Sequence, residues 1–256
     1  MNTLHTEVYG TGETLVLLHG WAMHSGVWRP FAQRLASNFR VVCVDLPGHG
    51  RSDVALALDL PTVAMQLLNE LGQVPAYWLG WSMGGLLAIE VARQSPEAVK
   101  GLILLASNPC FVRQSDWPGM KLTILKKFAA QLAADSVATI VNFLALQLWG
   151  LDEQEALLVA LKQRVMECAV PEILTLQQGL MLLENTDLRA ELSLLTCPIL
   201  AIFGVKDALV PVSIAAQLSA LNTNICSEIL ASAGHAPFLS HPTETRELIE
   251  QFMRNV

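Results

Sequence analysis

Ser82 lies in Gly80-Trp81-Ser82-Met83-Gly84, between an apolar run of strand length and a stretch with helical spacing. A G-x-S-x-G sequence at a strand-to-helix junction makes a tight turn, and its glycines leave room for a strained serine whose hydroxyl stands clear of the strand end. The helix that begins there aims its first amides at the same point. Such a serine suits nucleophilic acyl transfer, which requires a base, because a hydroxyl is a poor nucleophile while it keeps its proton. Of six histidines, His235 in Ala233-Gly234-His235-Ala236-Pro237 falls between the last strand-like run and the last helix-like one, where a loop can fold back over the sheet. His241 opens a His-Pro step suited to capping or buttressing the final helix. His19 and His49 sit in glycine-flanked loops suited to structural work, and His5 and His24 have no chemical context. His235 is the expected base.

An imidazole base needs an acceptor that fixes its tautomer and stabilises the imidazolium. Asp207 follows the strand-like run Ile199–Phe203 and meets that need, whereas Asp187 precedes the same run and would lie at its opposite end. Acyl transfer also develops an oxyanion, which two preorganised N–H donors must meet. The amide of Met83 is one expected donor. The amide of Trp21, in Leu18-His19-Gly20-Trp21 after the first strand-like run, is the other, with Gly20 bending the backbone and His19 bracing the loop. No H-E-x-x-H, no clustered metal ligands and no G-x-G-x-x-G occur, so neither a metal nor a nucleotide cofactor is expected.

These residues need a frame that brings them to one edge. Short apolar runs at Thr14–Leu18, Arg40–Asp45, Tyr77–Gly80, Gly101–Ala106, Ile199–Phe203 and Ser227–Leu230 read as strands. Helical spacing at Val27–Ser37, Pro61–Leu71, 83–94, Ile214–Leu221 and Glu244–Met253 separates them. That alternation predicts a mostly parallel sheet with helices on both faces. It lapses over 111–189, where the pattern is helical throughout, so a core of 1–110 and 190–256 with a helical lid subdomain at 111–189 is expected.

The 256 residues are 52% hydrophobic, yet no run approaches the roughly 18 apolar residues of a spanning helix. Met1–Glu7 has neither the basic nor the apolar part of a secretory signal, and five scattered cysteines suit a reducing compartment better than a disulfide framework. A cytoplasmic monomer is expected. A net charge of −7 without a basic tract argues against nucleic-acid and membrane partners.

The motifs Leu18-His19-Gly20-Trp21, Asp45-Leu46-Pro47-Gly48-His49-Gly50-Arg51-Ser52, Gly80-Trp81-Ser82-Met83-Gly84-Gly85 and Gly234-His235-Ala236-Pro237 resemble those of α/β-hydrolase esterases. The chain order Ser82, Asp207, His235 is also the one that this fold uses. Ser107-Asn108-Pro109-Cys110-Phe111, Asp116-Trp117-Pro118-Gly119 and Phe143-Leu144-Ala145-Leu146-Gln147, with Phe238 and His241-Pro242, resemble more narrowly the pimeloyl-[acyl-carrier protein] methyl ester esterases of biotin synthesis. This resemblance implies hydrolysis of the methyl ester at the distal end of a carrier-bound pimeloyl chain. It implies a substrate channel lined by Trp21, Ser82, Met83, Phe143, Leu144, Ala145, Leu146, Gln147 and His235. It also implies basic lid residues that receive an acidic acyl carrier protein, and here this chain departs: Ala138, Asn142, Glu155 and Val159 occupy those turns. Lys121, Lys126, Lys127, Lys162 and Arg164 are the cations left to form another patch. A general short-chain esterase would keep the triad and differ in the insertion, and a binding protein on this scaffold would be expected to have lost a triad member.

Overall fold

The computed structural model describes residues 3–54, 58–71 and 74–256, so the first two residues of the N-terminal stretch judged above lie outside it. Among the described residues the strands are β1 (Thr6–Tyr9), β2 (Thr14–Leu18), β3 (Arg40–Val44), β4 (Ala76–Trp81), β5 (Val99–Leu105), β6 (Ile199–Gly204) and β7 (Ile225–Leu230). They form one sheet in the order β1-β3-β2-β4-β5-β6-β7. Only β1 runs antiparallel to its neighbour; the other pairings are parallel. Every residue of β4 and of β6 is buried, as befits strands covered on both faces. β1 is absent from the sequence reading because it has only four residues, lies at the edge and is mostly half-buried, with no apolar run to announce it.

The helices around the sheet are α1 (Arg29–Leu35), α2 (Leu60–Leu71) and α3 (Met83–Gln94), the last buried from Met83 to Ala92 beneath the nucleophile turn. Pro61 sits in the first turn of α2, where its missing N–H costs no hydrogen bond. Between β5 and β6 the chain forms α4 (Leu122–Ala134), α5 (Ser136–Gln147), α6 (Gln154–Val165) and α7 (Ile173–Asn185). α4 packs on both α5 and α7, and α6 packs on α5. Asp135 starts α5 by accepting the Ala138 amide at 2.9 Å, a side-chain cap for an otherwise unpaired donor. The next helix, α8 (Arg189–Leu194), packs on α3 and on α9 (Ile214–Leu221), so it belongs with the helices of the sheet. The helices of the insertion thus end at Asn185, ahead of the boundary expected at 189. α10 (Pro237–Ser240) and α11 (Pro242–Asn255) close the chain. All five cysteines are free, and no helix of the described residues is long and apolar enough to cross a membrane.

Candidate active site

Ser82 joins β4 to α3 with φ 53° and ψ −121°, a conformation that costs a side-chain-bearing residue about 1–3 kcal/mol. Its backbone is held there from three directions. Its amide donates to Leu105 O (3.0 Å), and its carbonyl accepts from Gly85 N (3.0 Å) and Ser107 Oγ (2.7 Å). The glycines on either side are required by close approach. A Cβ at Gly80 would stand 2.3 Å from Gly84 O, and one at Gly84 would stand 2.5 Å from Leu18 O, both immovable backbone atoms.

Three carboxyl ends of the sheet bring Ser82, Asp207 and His235 together. His235, after β7, places Nε2 2.9 Å from Ser82 Oγ and Nδ1 2.8 Å from Asp207 Oδ2, with Asp207 following β6. The His235 and Asp207 side chains are fully buried. With its Nδ1–H donating a hydrogen bond to the carboxylate, the imidazole keeps that proton and has Nε2 free to accept the serine proton. Asp207 Oδ1 in turn accepts the amides of Leu209 (2.7 Å) and Val210 (2.9 Å), which fixes the carboxylate plane. The histidine loop is clamped on both backbone groups: its amide donates to Gln147 O (3.1 Å), and its carbonyl accepts the Trp81 indole N–H (2.8 Å). Trp28 and Trp81 pack on Phe238 beside it, with ring centroids 4.2 and 4.9 Å apart. Asp187 is engaged elsewhere, paired with Arg189. His241 begins α11 through its backbone carbonyl, which accepts Thr245 N and Oγ1, rather than through its ring, which meets Ser240 Oγ.

The turn after β2 supplies a second wall. The amides of Trp21 and Met83 donate to no protein acceptor among the described residues. A Cβ at Gly20 would come 3.3 Å from Ser82 Cβ, so this loop passes directly over the nucleophile. His19 braces it: Nδ1 donates to Gly20 O (2.8 Å) and Nε2 accepts from Leu46 N (3.0 Å). That pattern requires a neutral ring, and burial pushes the His19 pKa down to about 3. His49 packs edge-on against it at 5.2 Å, donates to Pro47 O, and is likewise pushed by burial to about 4. Beneath them Asp45 accepts the amides of Ser25 and Arg51. Burial opposes its ionisation, yet these bonds help hold its carboxyl below the usual range.

The inserted helices meet this wall through Trp21. Its indole donates to Leu176 O of α7 (2.8 Å), and its ring stands edge-on to Phe143 of α5, centroids 4.9 Å apart. Gly179 makes the approach possible, because a Cβ there would lie 2.6 Å from Trp21 Cδ1. Sequence reasoning did not find the contacts of Leu176 and Gly179; a lone glycine inside a helical pattern was the available signal. The five consecutive residues Phe143 to Gln147 do not share one face. Phe143, Leu144 and Gln147 are buried, whereas Ala145 and Leu146 are half-exposed, and Leu146 lines a separate outer groove. Neither side-chain amide atom of Gln147 has a hydrogen-bond partner among the described residues, although the residue is 1% exposed. No cluster of three or more His, Cys, Asp or Glu among the described residues is placed to hold a metal ion.

A family model for the alpha/beta hydrolase fold matches residues 13–242. The chain is 42% identical over 250 residues to a pimeloyl-[acyl-carrier protein] methyl ester esterase of Proteus mirabilis, covering 97% of this chain and 96% of that protein. It is 41% identical to the protein of the same name from Yersinia enterocolitica, covering 98% of each. Among solved structures, the esterase EaEST of Exiguobacterium antarcticum superposes with a TM-score of 0.89 at 24% identity, over 99% of this chain and 96% of that one. An enol-lactonase of Burkholderia xenovorans superposes with a TM-score of 0.85 at 18% identity, over 99% and 97%. At these identities the superpositions speak for the fold alone.

Proposed function

The chain belongs to the α/β-hydrolase family and, within it, to the pimeloyl-[acyl-carrier protein] methyl ester esterases, and from that premise we propose a mechanism by which Ser82, His235 and Asp207 hydrolyse the methyl ester of carrier-bound pimelate to the free acid and methanol. The observation that carries the reading is the hydrogen-bonded line from Asp207 through His235 to Ser82 Oγ, together with the Met83 and Trp21 amides, which have no protein acceptor among the described residues. Ser82 Oγ attacks the ester carbonyl as His235 Nε2 takes its proton. The negative charge gathers on the carbonyl oxygen, where the Trp21 and Met83 amides receive it. Collapse breaks the bond to methoxide, which leaves as methanol with the proton held by His235. Water then adds to the acyl-enzyme with His235 as base, releasing the carboxylate and restoring Ser82. Asp207 keeps the ring in the tautomer both steps need.

The buried wall of Phe143, Leu144 and Gln147 suits an acyl chain approaching Ser82 from under α5, and the unpaired Gln147 amide supplies a polar contact inside that apolar wall. Oriented this way, the chain presents its distal ester to the serine while the thioester stays toward the carrier. No cofactor enters any step. A general short-chain esterase is the second reading, favoured by Ala138, Asn142, Glu155 and Val159 where the resemblance leads one to expect cations. Purified enzyme given methyl pimeloyl-carrier protein and p-nitrophenyl butyrate separates the two by kcat/KM. Methanol release from the carrier substrate that a Ser82→Ala variant lacks supports the first, and turnover confined to the small ester overturns it.

A further inference from the structure

Between α4 and α5 lies an open groove of about 490 Å³, lined by Thr123, Ile124, Lys127, Phe128, Gln131, Asn142 and Leu146. Its floor is apolar, while Thr123, Gln131 and Asn142 bring a hydroxyl and two side-chain amides to its walls, none hydrogen-bonded by side chain to protein among the described residues. Phe128, on the floor, stands edge-on to Phe143 at 5.6 Å, and Phe143 stands edge-on to Trp21 at 4.9 Å. Two aromatic rings therefore separate the groove from Trp21 in the loop over the nucleophile.

The charge of this hairpin runs against that of the chain. The whole protein carries −7, yet residues 121–147 contain Lys121, Lys126 and Lys127 against Asp135 alone, whose carboxylate is engaged as the cap of α5. The three lysines are exposed, and none forms an ion pair among the described residues. A ligand fitted to such a groove has alkyl segments for the floor, amides for the walls and an anion for Lys127, which lines it between Thr123 and Gln131. The arm of an acyl carrier protein has that make-up: methylene segments, two amide bonds and a phosphodiester attached to an acidic protein.

Building on the function proposed above, we infer that the α4–α5 groove seats the phosphopantetheine arm of the carrier, with Lys127 on the groove receiving its phosphate and the exposed Lys126 beside it meeting the acidic surface of the carrier. The cations of α4 thus take over the role for which Ala138, Asn142, Glu155 and Val159 offer no charge.

The test is steady-state kinetics of the charge-reversed variant Lys126→Glu/Lys127→Glu beside the charge-conserving Lys126→Arg/Lys127→Arg, both at exposed positions. Charge reversal raises KM for methyl pimeloyl-carrier protein about tenfold at low ionic strength, with kcat and p-nitrophenyl butyrate hydrolysis unchanged, and rising salt narrows the gap. The arginine variant keeps the wild-type KM. An unchanged KM in the reversed variant overturns the inference while leaving the esterase function standing. An equal loss on the small ester also overturns it, since damage to the fold then explains both. A wild-type enzyme that cleaves the small ester and ignores the carrier substrate removes the proposed function itself, before any variant is compared.

Discussion

Around Ser82 the groups proposed to react or to receive charge are fixed mostly by backbone, whereas the insertion above them, the Gln147 carbonyl apart, meets the site through side chains. The nucleophile turn is held by the Leu105 carbonyl and the Gly85 amide, the aspartate by the Leu209 and Val210 amides, and the histidine by the Gln147 carbonyl. By contrast, apart from that Gln147 carbonyl at the end of α5, the helices α4, α5 and α7 approach the site through Phe128, Phe143 and the bond from the Trp21 indole. Backbone contacts survive most substitutions, provided the glycines that permit them remain. Side-chain contacts change with each residue. The sheet edge can therefore keep one chemistry while the helices alter what it is applied to, which is the usual division of labour on this fold.

If that contrast is right, substitutions at the sheet edge remove chemistry without touching recognition. Ser82→Ala and His235→Ala each lower kcat by about 10⁴-fold or more, because the members of a triad act as a unit. Both variants keep the wild-type melting temperature within a few degrees in a thermal scan. Asp207→Asn falls by a similar factor of about 10⁴, since the ring tautomer is then no longer fixed for proton transfer. A variant retaining more than a tenth of wild-type kcat would break the contrast at its strongest point.

At the junction of the two regions the effect is smaller and of another kind. Gly179→Ala places a methyl 2.6 Å from Trp21 Cδ1, although on helix propensity alone alanine is favoured by about 1 kcal/mol. The expected result is a loss of about tenfold in kcat/KM, as Trp21 shifts and its amide leaves the position that meets the oxyanion. A shift in the Trp21 indole resonance by NMR checks the displacement directly. Unchanged kinetics with an unmoved indole would mean that the insertion does not set the oxyanion wall.

The smallest effect concerns the support of that wall. His49 has its folded pKa near 4, below the ordinary 6.5, so the unfolded chain binds the proton more readily between those values. Its contribution to stability is fully present above pH 6.5 and declines as the pH falls toward 4. Replacing it by His49→Gln lowers the slope of unfolding free energy against pH in that window by up to one proton, about 1.4 kcal/mol per pH unit. Urea denaturation at a series of pH values measures the slope.

What could be read from the chain follows the same division. The meeting of Ser82, Asp207 and His235 was legible because each follows a strand of the sheet, so spacing along the sequence translates into position at one sheet edge. The position of the Trp21 loop was legible for the same reason, since only His19 separates Gly20 from the end of β2. β1 was not, because an edge strand of four residues buries too little to leave a pattern. Nor did helical spacing in 111–189 say which residues face the site. Phe143, Leu144 and Gln147 are buried while Ala145 and Leu146 are half-buried, a consequence of 3.6 residues per turn that no motif across consecutive positions expresses. The contact of Gly179 with Trp21 joins residues far apart in sequence, and no local pattern records it.

The proposed mechanism has Ser82 attack the distal methyl ester and not the thioester of the same chain. Rapid quenching of enzyme with methyl pimeloyl-carrier protein, followed by intact mass and peptide mapping, reads this directly. The expected product is an adduct on Ser82 that retains the carrier and has lost methanol. An adduct of methyl pimelate without the carrier, appearing together with free carrier thiol, would contradict it.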